Sequence, residues 1–246
     1  MTRNLALLAE ALNAAAQDAE IADRIRAARD RIGGRLVFTT SFGLEDQMVT
    51  HAIARSGADV EIVTLDTGRL FPETYDVWAA TEERYDLRIR AFYPRAEAVE
   101  ALVAERGVNG FYDSLGARKS CCAVRKVEPL GRALAGASGW VTGLRAEQSA
   151  AREATPFAEI DAARGLIKLN PLHDWSAQAL ADTVRALEIP YNVLHDRGFP
   201  SIGCQPCTRA VRIGEHDRAG RWWWEQSDQE CGLHVAAPGA KPARAA

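Results

Sequence analysis

Apolar residues recur at helical spacing from the start of the chain. Leu5, Leu8, Leu12, Ile21, Ile25 and Ile32 mark one face of an amphipathic helix over residues 4–32, which Gly33-Gly34 ends. The period then changes. Residues 36–40 (LVFTT) are a short apolar, β-branched run, the pattern of a buried strand, and a helix over 47–56 follows. Residues 60–65 (VEIVTL) predict a second strand, Pro72 starts a helix through about Tyr85, and strand 87–92 precedes helix 96–106. Residues 107–120 (GVNGFYDSLGARKS) are glycine-rich and polar, a loop by pattern, leading into a helix over 123–135. After a strand at 140–142, residues 157–160 and 166–169 are expected to pair around an Ala-Ala-Arg-Gly turn. Ser176 is a fitting N-cap for a helix over 177–188, stopped by Ile189-Pro190. Strands alternating with helices predict an α/β domain with a mostly parallel, doubly wound sheet flanked by helices. No internal repeat is visible, and the last dozen residues are small, basic and proline-bearing, the composition of a disordered tail.

Composition narrows this picture. With 47% hydrophobic and 26% charged residues over 246 positions, the chain can build a sizeable core. A net charge of −3 argues against a nucleic-acid binder. Charges scattered through the first thirty residues do not fit a secretory signal, and no run of ~18 uncharged apolar residues predicts a membrane span. The expected setting is a reducing cytoplasm, where cysteines serve as metal ligands or catalysts more often than in disulfides. Basic residues concentrate around those cysteines, which points to a small anionic ligand.

The candidate chemistry lies where strands end and cysteines cluster. The first strand feeds into Ser41-Phe42-Gly43-Leu44-Glu45-Asp46 and a helix, an arrangement that can aim backbone N–H groups at a phosphate. Many such turns bind nothing. The second strand ends in Asp66-Thr67-Gly68, a ligand position in open α/β sheets, or simply an Asx-type turn. Five cysteines divide into an adjacent pair, Cys121 and Cys122, a Cys-x-x-Cys pair, Cys204 and Cys207, and the lone Cys231. Neighbouring side chains on a helix diverge by about 100°, so converging an adjacent pair on one zinc ion strains the backbone. A [4Fe-4S] cluster offers four separate irons and suits this spacing better. A thioredoxin-type redox pair at Cys204 and Cys207 is the alternative, and it leaves Cys121 and Cys122 unexplained. Cys231 is a candidate nucleophile, with Arg218, Arg221 and His234 to lower its pKa or neutralise an anionic substrate; the plain alternative is an inert exposed thiol. The arginines read as binding residues, and Trp222, Trp223 and Trp224 as core.

Taken together, SFGLED (41–46), LDTG (65–68) with FPET (71–74), CCAVRK (121–126), TGLR (142–145), CQPC (204–207), RAGRWWW (218–224) and ECGLH (230–234) resemble the adenylylsulfate and phosphoadenylylsulfate reductases of assimilatory sulfur metabolism. The resemblance runs from about Ser41 to His234. It implies a Rossmann-like fold related to the ATP-pyrophosphatases, and a thioredoxin-dependent reaction. Both cysteine pairs resemble the branch that binds a [4Fe-4S] cluster and prefers adenosine 5′-phosphosulfate. By that resemblance Cys121, Cys122, Cys204 and Cys207 would ligate the cluster, and Cys231, with His234, would be catalytic. Lys126, Arg218 and Arg221 would meet the phosphosulfate, with Arg145 and Arg152 as further matches. Ser41, Phe42, Gly43, Glu45, Asp46, Asp66, Thr67 and Gly68 would complete the substrate site. The implied partners are the sulfonucleotide and reduced thioredoxin or a glutaredoxin-like donor; a homo-oligomer is compatible. The expected layout is a helical segment at 1–34, a nucleotide-binding domain at 35–225 and a mobile catalytic segment at 226–246. The turn keeps one glycine where the pyrophosphatases have two, which restricts close wrapping of a pyrophosphate, and Ile213 replaces an expected proline. Competing readings are a phosphoadenylylsulfate or dual-specificity reductase, an AMP-forming ligase, and a non-catalytic metal- or nucleotide-binding module.

Overall fold

The computed structural model describes residues 2–148 and 154–225. Six strands form one sheet: β1 (Arg35–Thr40), β2 (Glu61–Leu65), β3 (Arg90–Phe92), β4 (Ala137–Val141), β5 (Ala158–Asp161) and β6 (Leu166–Leu169). Their order across the sheet is β3-β2-β1-β4-β6-β5. All neighbours run parallel except β5, which pairs antiparallel with β6, Ala158 opposite Leu169. The chain moves outward from β1 to β2 and β3, then returns to the other side of β1 for β4. Where the order reverses, the carboxyl ends of β1 and β4 open a crevice, the usual ligand position of such sheets.

Burial on both faces explains the near-continuous apolar run of β1. Leu36 and Phe38 enter one cluster with helices α1 (Thr2–Ala16), α2 (Ile21–Arg31) and α3 (Leu44–Ser56), represented by Leu12, Ile25 and Val49. Val37, between them, joins a second cluster with Val63, Phe92, Leu130, Ala133 and Trp140. Each fully buried Val, Leu, Ile or Phe side chain among them contributes about 1.5–3 kcal/mol. Helices α4 (Pro72–Tyr85), α5 (Ala96–Arg106), α6 (Leu115–Cys122), α7 (Glu128–Ala133) and α8 (Ala177–Ala186) complete the α-helices among the described residues. Ser176 caps α8 as expected, its hydroxyl accepting from the Ala179 N–H.

Two elements differ from the periodic pattern. The single helix expected over 4–32 is two, broken around Asp18, whose φ is 53°. Its apolar period runs through the break, so the sequence alone reads as continuous. Arg24 makes the fold-back stable: buried, it donates to the terminal carbonyl of α1 at Ala16 (3.2 Å), to Pro171 O (2.9 Å) and to both Asp174 oxygens (2.6 Å each). The helix-end carbonyl of Ala16 thereby gains a second donor beside the Ala19 N–H at 3.3 Å. The loop expected over 107–120 is largely helical. Gly110–Tyr112 makes a short 3₁₀ turn, and Ser114 caps α6 by accepting from Ala117 N at 3.1 Å. The adjacent cysteines therefore end one helix instead of starting another.

Candidate active site

Four cysteines meet beyond the sheet. Cys121 and Cys122 close α6, which runs into a π-helical turn, Ala123–Val127, before α7 resumes. Such widened turns are rare and gather at functional sites. Opposite them, Cys204 and Cys207 flank a tight turn in which Cys207 N–H donates to Cys204 O at 2.9 Å. All four line one small cavity, with Arg69, Arg118, Arg125, Lys126 and Arg221 around it. Among the described residues, no three cysteine, histidine or carboxylate side chains converge on the position of a single ion. Four thiols spread around a cavity suit a multi-iron group better than one zinc, and the cations suit its net negative charge. Burial pushes the Cys207 thiol up to about 12, with Cys204 adding to the rise, and raises Cys121 with help from Cys122. Ligation would thus release protons.

The segment after Cys207 doubles back to build the next layer. Thr208 and Arg221 form an antiparallel bridge, and Trp222 N–H donates to Cys207 O at 3.2 Å. This return seats Arg221 between the thiols and the crevice. Its guanidinium is buried, donating to Ser201 Oγ (3.2 Å) and Ile202 O (3.3 Å), and its Nε has no protein partner. Gly203 makes the room: a Cβ there would lie 2.3 Å from Arg221 Nη2. Trp222 is buried between Arg118 and Arg221, whose Cζ atoms sit 4.4 and 4.9 Å from its ring centre. Trp223, by contrast, is exposed, and Trp224 packs against Tyr112 and Phe111, so only Trp222 is deep core.

The crevice itself is a cleft of about 350 Å³. Lys126, Arg218 and Arg221 line it, and Lys126 and Arg221 line the thiol cavity too. Ser41, Phe42, Gly43, Glu45, Asp46, Thr67 and Arg145 also border the cleft. The βα turn is occupied by its own acid. Asp46 Oδ2 accepts from both the N–H and the hydroxyl of Ser41, each at 2.6 Å. Burial raises the Asp46 carboxyl to about 6, against the opposing pull of those two bonds. Gly143 permits this packing, since a Cβ would come within 2.3 Å of Asp46 Oδ1. Phe42 holds φ at 61° and sends its ring into the core, stacked on Trp78 at 5.6 Å. Arg145 is buried and held by Glu45 at 3.1 Å, with Glu147 at 3.5 Å.

Asp66 and Gly68 lie off the cleft. The Asp66 carboxylate accepts from Gly68 N–H (2.8 Å) and Tyr75 OH (3.0 Å), the Asx-turn alternative. The turn serves to place Thr67, whose hydroxyl is 3.2 Å from Cys204 Sγ and whose carbonyl accepts from Arg125 at 2.7 Å. Cys231, His234 and Arg152, with the whole of 226–246, lie outside the described residues.

Residues 35–210 match the Phosphoadenosine phosphosulfate reductase domain. The chain belongs to that family. Within the phosphoadenosine phosphosulfate reductase family it is 53% identical over 236 residues to an adenosine 5′-phosphosulfate reductase of Sinorhizobium fredii, covering 96% of this chain and 94% of the relative. A protein of the same name from Allochromatium vinosum is 53% identical over 200 residues, covering 81% and 78%. Among solved structures, a phosphoadenylyl-sulfate reductase from Candida auris superposes with a TM-score of 0.71 at 27% identity, covering 82% of this chain and 96% of that one. The fold is thus the Rossmann-like one of this reductase family.

Sequence reading did not single out several residues that border these two cavities. Arg69, Arg118 and Arg125 ring the thiols, and His195 borders the cleft with both ring nitrogens buried and without a protein partner. The flanking of Cys121 and Cys122 by Arg118 and Arg125 was the available signal. Nothing local marks His195.

Proposed function

We propose that the chain reduces adenosine 5′-phosphosulfate to sulfite and AMP, drawing two electrons from reduced thioredoxin in a reducing cytoplasm. The observation that carries this reading is shared walls. Lys126 and Arg221 border both the nucleotide-sized cleft and the four-thiol cavity, in a chain 53% identical to proteins of that activity by name.

In this reading the phosphosulfate lies against Lys126, Arg218 and Arg221, which offset the repulsion between an approaching thiolate and the anionic sulfonyl group. The Cys231 thiolate attacks the sulfate sulfur, a sulfur–sulfur bond forms, the bridging oxygen–sulfur bond breaks, and AMP leaves with that electron pair. A thioredoxin thiolate then attacks Sγ of Cys231 and expels sulfite. The second thioredoxin thiol resolves the mixed disulfide and restores Cys231. The donor ends oxidised by two electrons, and the sulfur leaves reduced by two. His234 is assigned an assisting role in the same step. Cys121, Cys122, Cys204 and Cys207 would hold a [4Fe-4S] cluster. Bound there, it would supply structural and electrostatic support, since thioredoxin brings both reducing equivalents.

Mixing the protein with adenosine 5′-phosphosulfate and reduced thioredoxin should yield sulfite and AMP one to one. Cys231→Ser should abolish turnover and keep AMP binding; a variant that still turned over would remove Cys231 from the mechanism. Anaerobically purified protein should carry iron and acid-labile sulfide at about four each per chain, and zinc alone would rule the cluster out.

A further inference from the structure

The loop that brings Arg218 to the cleft gains little from apolar burial. Thr208 and Arg221 pair across its base, Arg209 N–H donates to Gly220 O at 2.9 Å, and a Cβ on Gly220 would lie 2.2 Å from Arg209 O. Beyond those crossed stems, the one apolar residue of 212–218 is Ile213, and it is fully exposed. Glu215 ties the loop instead. Its carboxylate accepts from Arg209 twice, Nη1 to Oε2 at 2.7 Å and Nη2 to Oε1 at 3.0 Å, and from the Arg212 N–H at 2.8 Å. The Arg209 guanidinium, with the Arg212 N–H, holds the Glu215 carboxyl down to about 2, so the tie is ionised throughout the neutral range. Two turns meet at this residue. Glu215 N–H donates to Arg212 O at 3.0 Å with Gly214 at φ 88°, the pattern of a type II turn. Ala219 N–H donates to His216 O at 2.8 Å, and Arg218 N–H to His216 Nδ1 at 3.2 Å, a turn that sets His216, Asp217 and Arg218 on the cleft wall. Proline suits the second residue of a type II turn, where its fixed φ lowers the entropy cost of ordering. This chain has Ile213 there, so more of the ordering falls on the ionic tie.

We propose that Glu215 is a positioning residue for the sulfonucleotide, pinning the 209–220 loop through Arg209 and so holding Arg218 against the phosphosulfate. The proposal rests on the adenosine 5′-phosphosulfate reading above. A guanidinium recognises an anion by the direction of its N–H groups as well as by charge. On an unpinned loop Arg218 would spread over many positions, and substrate binding would have to order it, at a loss of affinity. Glu215 acts through its neighbours: its oxygens face Arg209 and the Arg212 N–H, and a carboxylate set against the anion itself would repel it. With the pin closed, Arg218 is in place before the substrate arrives.

Glu215→Gln keeps the side-chain volume and removes the charge that Arg209 grips. In the holoenzyme, kcat/KM for adenosine 5′-phosphosulfate should fall about fivefold, the effect of losing a well-formed exposed ion pair, and mostly through KM. With no ligand present, amide hydrogen exchange over residues 210–219 should quicken in the same variant. Ile213→Pro added to Glu215→Gln should restore much of both readings, because it orders the turn without returning the charge. In an Arg218→Ala background, Glu215→Gln should lower kcat/KM no further, since the pin works through Arg218. A second loss of about fivefold in that background would mean a general structural role and would overturn the proposal. Exchange unchanged by Glu215→Gln would overturn the pin whatever the substrate is. A wild-type holoenzyme that fails to reduce adenosine 5′-phosphosulfate, with exchange responding as expected, would overturn the substrate reading and the phosphosulfate role of Arg218 while upholding the pin, which separates the two failures.

Discussion

Arg118 and Glu225 join the two halves of the thiol cavity across 107 positions of sequence, and breaking that pair should be costly. Arg118 comes from the helix that ends in Cys121 and Cys122; Glu225 follows the tryptophans of the returning segment. Their contact is bidentate, Nε to Oε1 at 2.9 Å and Nη2 to Oε2 at 2.8 Å, with side chains 1% and 5% exposed. Glu225→Gln removes the negative charge at nearly constant volume and leaves a buried guanidinium over the Trp222 ring. Coulomb's law at an effective dielectric of about 20 and ~4 Å gives about 4 kcal/mol, within the ~3–5 kcal/mol found when one partner of a buried pair is removed. For a chain of this size each kcal/mol moves Tm by about 2–4 °C, so a fall of roughly 6–20 °C is expected by thermal scan. Replacing both partners, Arg118→Met with Glu225→Leu, removes the stranded charge and should recover most of the loss. Limited proteolysis run alongside detects a detachment confined to the 208–225 segment. A Glu225→Gln loss below ~1 kcal/mol without new cleavage, or a double variant that loses the sum of the two singles, would refute the reasoning.

Two further outcomes follow from close contacts at the cleft. Asp46 has its carboxyl raised from 3.8 to about 6, chiefly by burial. The stability associated with its protonated form is fully present below 3.8 and is lost as pH rises through about 6, some ~3 kcal/mol at 1.36 kcal/mol per pH unit. Asp46→Asn should therefore unfold at a higher temperature than wild type at pH 8, with the gap closing toward pH 4; a gap independent of pH would contradict the burial argument. Gly203→Ala would push a methyl to 2.3 Å from Arg221 Nη2 and displace that guanidinium. AMP affinity and kcat/KM should fall tenfold or more, alongside a loss of Tm from the displaced contacts of Arg221 with Ser201, Ile202 and Trp222, and unaltered AMP binding by calorimetry would remove Arg221 from the nucleotide site.

Much of the fold was legible because strands buried on both faces write continuous apolar runs. Residues 36–38 are of this kind and lie in a strand; residues 166–169 are too but for Lys168, which pairs with Glu159 on the neighbouring strand. The break near Asp18 was not legible, because an apolar period that continues across a turn looks like one helix; Arg24 decides it through partners about 150 residues away. The helix over Leu115–Cys122 hid in a glycine-rich, polar stretch because its stability comes from the Ser114 cap and from burying Ala117 and Arg118 against distant segments.

For the site, residue type and spacing named the four thiols and two of the five cations beside them, Lys126 and Arg221, since their chemistry requires Cys, Lys and Arg whatever the surroundings. Sequence could not say which charges oppose which. Arg145 reads as a substrate cation and is engaged by Glu45; Asp66 reads as a ligand contact and closes a turn on Gly68. The SFGLED turn has a phosphate-binding pattern, and Asp46 fills it. Local pattern fixes which groups are present along the chain. Only the packed structure fixes their neighbours, because burial, pairing and the sign of the local field arise between segments far apart in sequence.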